Sequence, residues 1–205
     1  TLKSLLLVNE KLKNFKKSKE IAQALEELNI DVSVEKVYFD TLIILNDPIL
    51  SYEKRTELLF EIFKENKIIQ RIFATFLIQS NREFFFSNID MFDCEKLIDI
   101  LWYQKKEDID FDKIKNNQFL NELYSAKNYI NSVSNSSDFD LNILILINKY
   151  QKDIKTNLTF EFICNSCKHS SPFYEARCPN CHSILSLEVK HHLTKAYELS
   201  NQSLQ

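Results

Sequence analysis

At 205 residues the chain has room for one sizeable core, or for one domain with a small satellite. Its apolar share of 44 % is that of a globular protein, and a net charge of −3 offers no broad attraction to nucleic acid or to an anionic membrane. Glycine is absent, which excludes P-loops and GxGxxG turns and with them the common nucleotide-dependent enzymes.

Without glycine, positive φ must fall on other residues, Asn above all. Asn29, Asn46, Asn66, Asn81 and Asn128 stand at apparent breaks. The first 150 residues carry helical periodicity. Leu2, Leu5, Leu6, Asn9 and Leu12 share one face; after Lys13-Asn14-Phe15 comes a second stripe of Ser18, Ile21, Ala22, Leu25 and Leu28. A short polar joint between two such helices makes an antiparallel hairpin.

Ser33 is placed to cap a helix through about Asn46, which Asp47-Pro48 ends, and Ser51 to start the next. Further helices are expected at 67–80, 91–105, 111–128 and 140–153, with a loop at 129–139. Cys94 reads as a buried lone thiol on a helical face, and the aromatic run "REFFFSNIDMF" as core. The acidic residues Glu107, Asp108, Asp110 and Asp112 read as a solvated loop, and "KLKNFKKSK" as a solvated helix turn.

Beyond Asn157 the pattern changes. "LTFEFIC" and "SILSLEV" alternate as strands do, and "KHHLTK" after them reads as a solvated helix start. Cys164, Cys167, Cys178 and Cys181 form two Cys-x-x-Cys pairs with ten residues between them. Two residues between paired cysteines let one tight turn aim both sulfurs at a single point, which suits a tetrahedral metal. Soft thiolates fit Zn²⁺, and iron fits the same set. Two disulfides or a redox dithiol are the alternatives. His169 and His182 are expected outside the metal shell. Lys168 and His182, each just after a pair, are expected in a strained left-handed conformation.

The expected fold is mainly α: stacked helical hairpins, as an α-solenoid or a bundle, over 1–156; a four-cysteine zinc ribbon over 157–190, capping the last hairpin; and a helix or tail over 191–205. "LKNFKKSKEIAQALEELN" resembles one tetratricopeptide repeat, with Phe15, Ser18, Ala22 and Leu25 at the repeat's positions and Leu2 and Leu5 pointing inward. "CNSCKHSSPFYEARCPNCHSI" resembles rubredoxin-type ribbons. The RadA-type DNA repair ATPases have such a ribbon, but ahead of a P-loop domain that a glycine-free chain cannot build. The order of helices then ribbon resembles the lipopolysaccharide assembly protein B family. Two departures are Lys168 for the usual Gly and Ile184 for an aromatic.

That resemblance implies a non-enzymatic cytoplasmic adaptor. It would be tethered at the inner membrane by an N-terminal helix absent from this sequence, and would link a lipopolysaccharide-synthesis enzyme to a membrane protease. No catalytic or organic-cofactor residues are expected. A nucleic-acid-binding ribbon and an iron electron carrier are the alternatives. Over 158–205 the charges balance, Lys168, Arg177, Lys190 and Lys195 against Glu161, Glu175, Glu188 and Glu198, so no nucleic-acid partner is expected. No run of about 18 apolar residues and no secretory signal is present. Thr1 in place of an initiator Met suits a fragment.

Overall fold

The structure is a computed structural model, and it describes residues 1–151 and 155–195. Among these the chain is mainly helical, with ten α-helices and one three-stranded antiparallel sheet. The described residues divide into two compact units, 1–85 with 176–186, and 86–175 with 187–195.

In the first unit the expected helices form at the expected places. Helix α1 (Leu2–Lys11) is capped by Thr1, whose hydroxyl accepts from the Ser4 amide, and is followed by α2 (Phe15–Glu27). Helix α3 (Ser33–Asn46) ends at Asp47-Pro48. Helix α4 (Tyr52–Glu65) is capped by Ser51, and a 3-10 turn (Lys67–Ile69) leads into α5 (Gln70–Ser80). Each helix packs on the next.

Ser33 is not the cap of α3. Val32 holds that position, and the Asp31 carboxylate accepts the Ser33 amide at 3.0 Å. Ser18 and Ala22 are fully buried, which lets α1 and α2 approach closely, and Ile21 and Leu25 are buried beside them. The inward residue of α1 is Leu6 (4 % exposed); Leu5 (46 %) and Leu12 (72 %) face outward, contrary to the expected stripe. Helix α1 buries one narrow line of contact, so Leu2 and Leu6 take it and their neighbours cannot.

The boundary between the two units falls within α6 (Arg82–Ser87) and so within the aromatic run, whose Phe85, Phe86, Ile89 and Phe92 are core, as read. The long helices expected at 91–105 and 111–128 are broken. The first becomes a 3-10 turn (Glu95–Leu97) and a short α7 (Ile98–Trp102), after Phe92 takes an extended backbone. The second becomes α8 (Phe111–Ile114) and α9 (Gln118–Ala126). Asn117 accepts the Leu120 amide at 3.0 Å, and Asn121 donates to the Lys115 and Asn117 carbonyls at 2.9 Å. Those side chains satisfy the groups that a continuous helix would have satisfied.

Residues 129–138 are loop, and α10 (Phe139–Tyr150) is capped by Asp138. The expectation of helix through 153 runs beyond the described residues. Strands β1 (Thr156–Cys164), β2 (Ser170–Ser171) and β3 (Leu187–Lys195) are ordered β2-β1-β3. Strand β1 pairs with β3 from Cys164–Leu187 to Thr156–Lys195. "KHHLTK" is therefore strand, not the start of a helix; its side chains continue the alternation that buries Leu187 and Val189. The rest of the expected tail, 196–205, lies outside the described residues. Strand β3 begins later than "SILSLEV" suggests, because Leu185 has φ 50 and breaks the extended backbone.

Candidate metal centre

The four sulfurs of Cys164, Cys167, Cys178 and Cys181 lie within 4.8 Å of one another. The strand β1 delivers the first pair. It ends at Cys164, whose amide donates to the His169 carbonyl at 2.9 Å, while the Lys168 amide donates to the Cys164 carbonyl at 2.8 Å. The second pair repeats this. The Cys178 amide donates to the Ser183 carbonyl at 2.9 Å, and the His182 amide to the Cys178 carbonyl at 3.0 Å. In both, the residue four after the first cysteine has positive φ, Lys168 at 60° and His182 at 63°. The expected left-handed conformation is present at both positions. A tight turn that folds back to its own first cysteine leaves no other conformation, and a glycine-free chain supplies other residues.

These residues fit a metal. A tetrahedral site with metal–sulfur bonds of about 2.3 Å needs sulfurs about 3.8 Å apart. All five cysteines are thiols rather than disulfide halves, so the expected alternative of two bridges is not what the geometry displays. Cys164 and Cys178 are buried, Cys167 is half-buried and Cys181 is exposed. The donor set is all sulfur, and thiolates bind as anions that a divalent cation neutralises.

The second knuckle is anchored by contacts within the first unit. Ile184 joins Leu6, Ile21, Ala22, Leu25, Val32, Tyr38 and Phe39 in one apolar cluster. Arg177 donates from Nε to Glu10 Oε2 at 2.9 Å, with a second bond from its terminal nitrogen to the same oxygen. A further bond from Arg177 reaches the His182 carbonyl. The ribbon was expected to cap the last hairpin; this part of it packs instead with the first. The sequence signal was an apolar residue, Ile184, three positions after Cys181.

The remaining singled-out residues are structural. Cys94 is 5 % exposed, as read, but it precedes the 3-10 turn rather than lying on a helix. Burial, with Asp93, Asp90 and Glu95 nearby, pushes its thiol up to about 12. Asp110 caps α8, accepting the Lys113 amide at 3.2 Å. In "KHHLTK", His191 pairs with Asp138 at 3.0 Å and His192 with Glu161 at 3.1 Å, so both histidines face carboxylates. Among the described residues no helix is long and apolar enough to cross a membrane.

Missed by sequence reading was Lys127. Its ammonium donates to the Gln104 carbonyl at 2.8 Å and to the Trp102 carbonyl, and lies 4.3 Å from the Tyr129 ring centroid. It thereby ties α9 to the end of α7. Lys13 (φ 57) and Leu185 (φ 50) also adopt positive φ without a sequence signal.

No family model matches the chain, and no curated protein matches it.

Proposed function

We propose that the chain is a non-enzymatic scaffold that binds other proteins, its C-terminal ribbon held by one Zn²⁺ on Cys164, Cys167, Cys178 and Cys181. The convergence of four sulfurs carries the reading. Four thiolates fill a tetrahedral shell and leave no position for a water or a substrate, which is the arrangement of structural zinc. The two knuckles repeat the same turn, and one of them is built into a helical core through Ile184 and Arg177. Metal-binding free energy of roughly 10–16 kcal/mol then acts as folding free energy.

The helices supply the platform, and tetratricopeptide-type hairpins are the arrangement proposed for them. Exposed apolar side chains on them, such as Leu5 and Val8 of α1, are the surface on which partners would dock. The ribbon's resemblance supplies the proposed partners: a lipopolysaccharide-synthesis enzyme and a membrane protease, met at the cytoplasmic face of the inner membrane.

The test is elemental analysis of the purified chain, joined to affinity capture from cells with the ribbon intact and with Cys178→Ser and Cys181→Ser together. One zinc per chain, no visible colour and capture of a protease that fades in the double variant are expected. A red protein would mean iron; no stoichiometric metal would remove the centre.

A further inference from the structure

Helix α10, FDLNILILINKY, carries large apolar side chains on two opposite faces. A helix of that kind is ordinarily surrounded by protein. One face is: Leu141, Leu144 and Ile145 are buried, and the helix packs on α9, β1 and β3. The other face is not. Phe139 is 73 % exposed, Leu146 37 % and Tyr150 69 %, with half-buried Ile143 between them. Spacings of four, three and four residues align these side chains along one stripe, the seam of a coiled coil.

The stripe reads the same from either end. Its midpoint lies between Leu144 and Ile145, and the two halves mirror each other in spacing and in size, aromatic outside and aliphatic inside. A two-fold axis through that midpoint brings a second, antiparallel copy into register. Phe139 then lies level with the partner's Tyr150, and Ile143 level with the partner's Leu146. A two-fold interface needs such a self-complementary patch, and a foreign helix has no reason to match it.

Charge selects the same direction. The first turn of α10 carries Asp140 with the capping Asp138, and the last turn carries Lys149. Antiparallel pairing sets each acidic end beside a basic one and opposes the helix dipoles; parallel pairing would stack like ends.

We propose that the Phe139–Ile143–Leu146–Tyr150 face of α10 docks on the same face of a second copy of this chain, antiparallel across a two-fold axis. The buried area sets the strength. The exposed parts of one Phe, one Tyr and one Leu come to about 350 Å² per copy, or about 700 Å² in all. Stable interfaces bury roughly 1,200–2,000 Å², so the pair is a weak and reversible one.

Sedimentation equilibrium of the full chain, from about 5 to about 500 µM, tests it. The wild type is expected to rise reversibly from monomer mass toward dimer mass. Leu146→Glu, a change at an exposed position, should weaken association at least tenfold and leave the thermal melt unchanged. Asp140→Lys alone should weaken it, and Asp140→Lys with Lys149→Asp should restore it. A wild type that stays monomeric throughout overturns the proposal. So does a Leu146→Glu chain that dimerises like the wild type, since the contact would then use another face. So does a monomeric wild type whose α10 face instead binds phosphatidylglycerol vesicles.

Discussion

Lys168 and His182 hold the same place in the two knuckles, four residues after the leading cysteine, and each carries a side chain at positive φ. A Cβ in that region costs on the order of 1 kcal/mol, which glycine avoids. Replacing either by Gly should stabilise the metal-bound chain by about 0.5–1 kcal/mol, read as a raised midpoint in urea. A lowered midpoint for both would mean that the Lys and His side chains themselves hold the knuckles. Lys127 gives a residue-scale prediction with a pH sign. Burial lowers its ammonium from 10.5 to about 8. Below about pH 8 both folded and unfolded chains hold the proton, and the folded one bears the full cost of burying it. Between about 8 and 10.5 the unfolded chain binds more protons, so this residue's contribution to stability rises with pH. Relative to Lys127→Met, the wild type should gain stability as pH is raised from 8 to 10, measured by urea melts on both.

At the scale of elements, helices with tight caps and amphipathic stripes were legible. Ser51, Asp47-Pro48 and the buried pair Ser18 and Ala22 act as their residue types suggest. The misreadings have one cause each. Asn117 and Asn121 bond the backbone and split a helix that apolar spacing alone would continue. "KHHLTK" looked helical because its polar residues hide a period of two, which pairing with β1 fixes. Leu5 looked inward because apolar spacing cannot say which of two adjacent stripes a partner covers. Ile184 shows the same limit from the other side: its burial depends on α1, α2 and α3, far away in sequence. Ile184→Ala should cost the chain about 2–5 kcal/mol, the range for a buried aliphatic, while metal still binds. Urea unfolding followed by far-UV circular dichroism reads the first quantity and zinc titration the second. A cost below about 0.5 kcal/mol would mean that the knuckle rests lightly on those helices.

For the whole molecule, the convergence of Cys164, Cys167, Cys178 and Cys181 was the most legible feature, because Cys-x-x-Cys spacing is a local rule that tertiary packing does not override. What the spacing could not convey is how unequal the five thiols are. Cys94 is buried where its thiolate is disfavoured, with its thiol at about 12, so it is inert at neutral pH. Cys181 is exposed, Cys167 half-exposed, and Cys164 and Cys178 are buried behind them. Alkylation by iodoacetamide at pH 8, counted by intact mass, should separate these classes. With zinc bound the folded chain should take up little label. Chelation should release four thiols together, with Cys181 the first modified in a short pulse, and Cys94 should react only in denaturant. The same chelation should lower the thermal midpoint by several degrees, because the knuckle carrying Cys178 and Cys181 contributes Ile184 to a helical core. Trp102, the chain's one tryptophan, donates to Asn157 at the start of β1 at 3.0 Å, so its emission should report any loosening of that strand. Five thiols reacting at one rate in native buffer, with zinc making no difference, would leave the four-sulfur centre without a role in holding the ribbon.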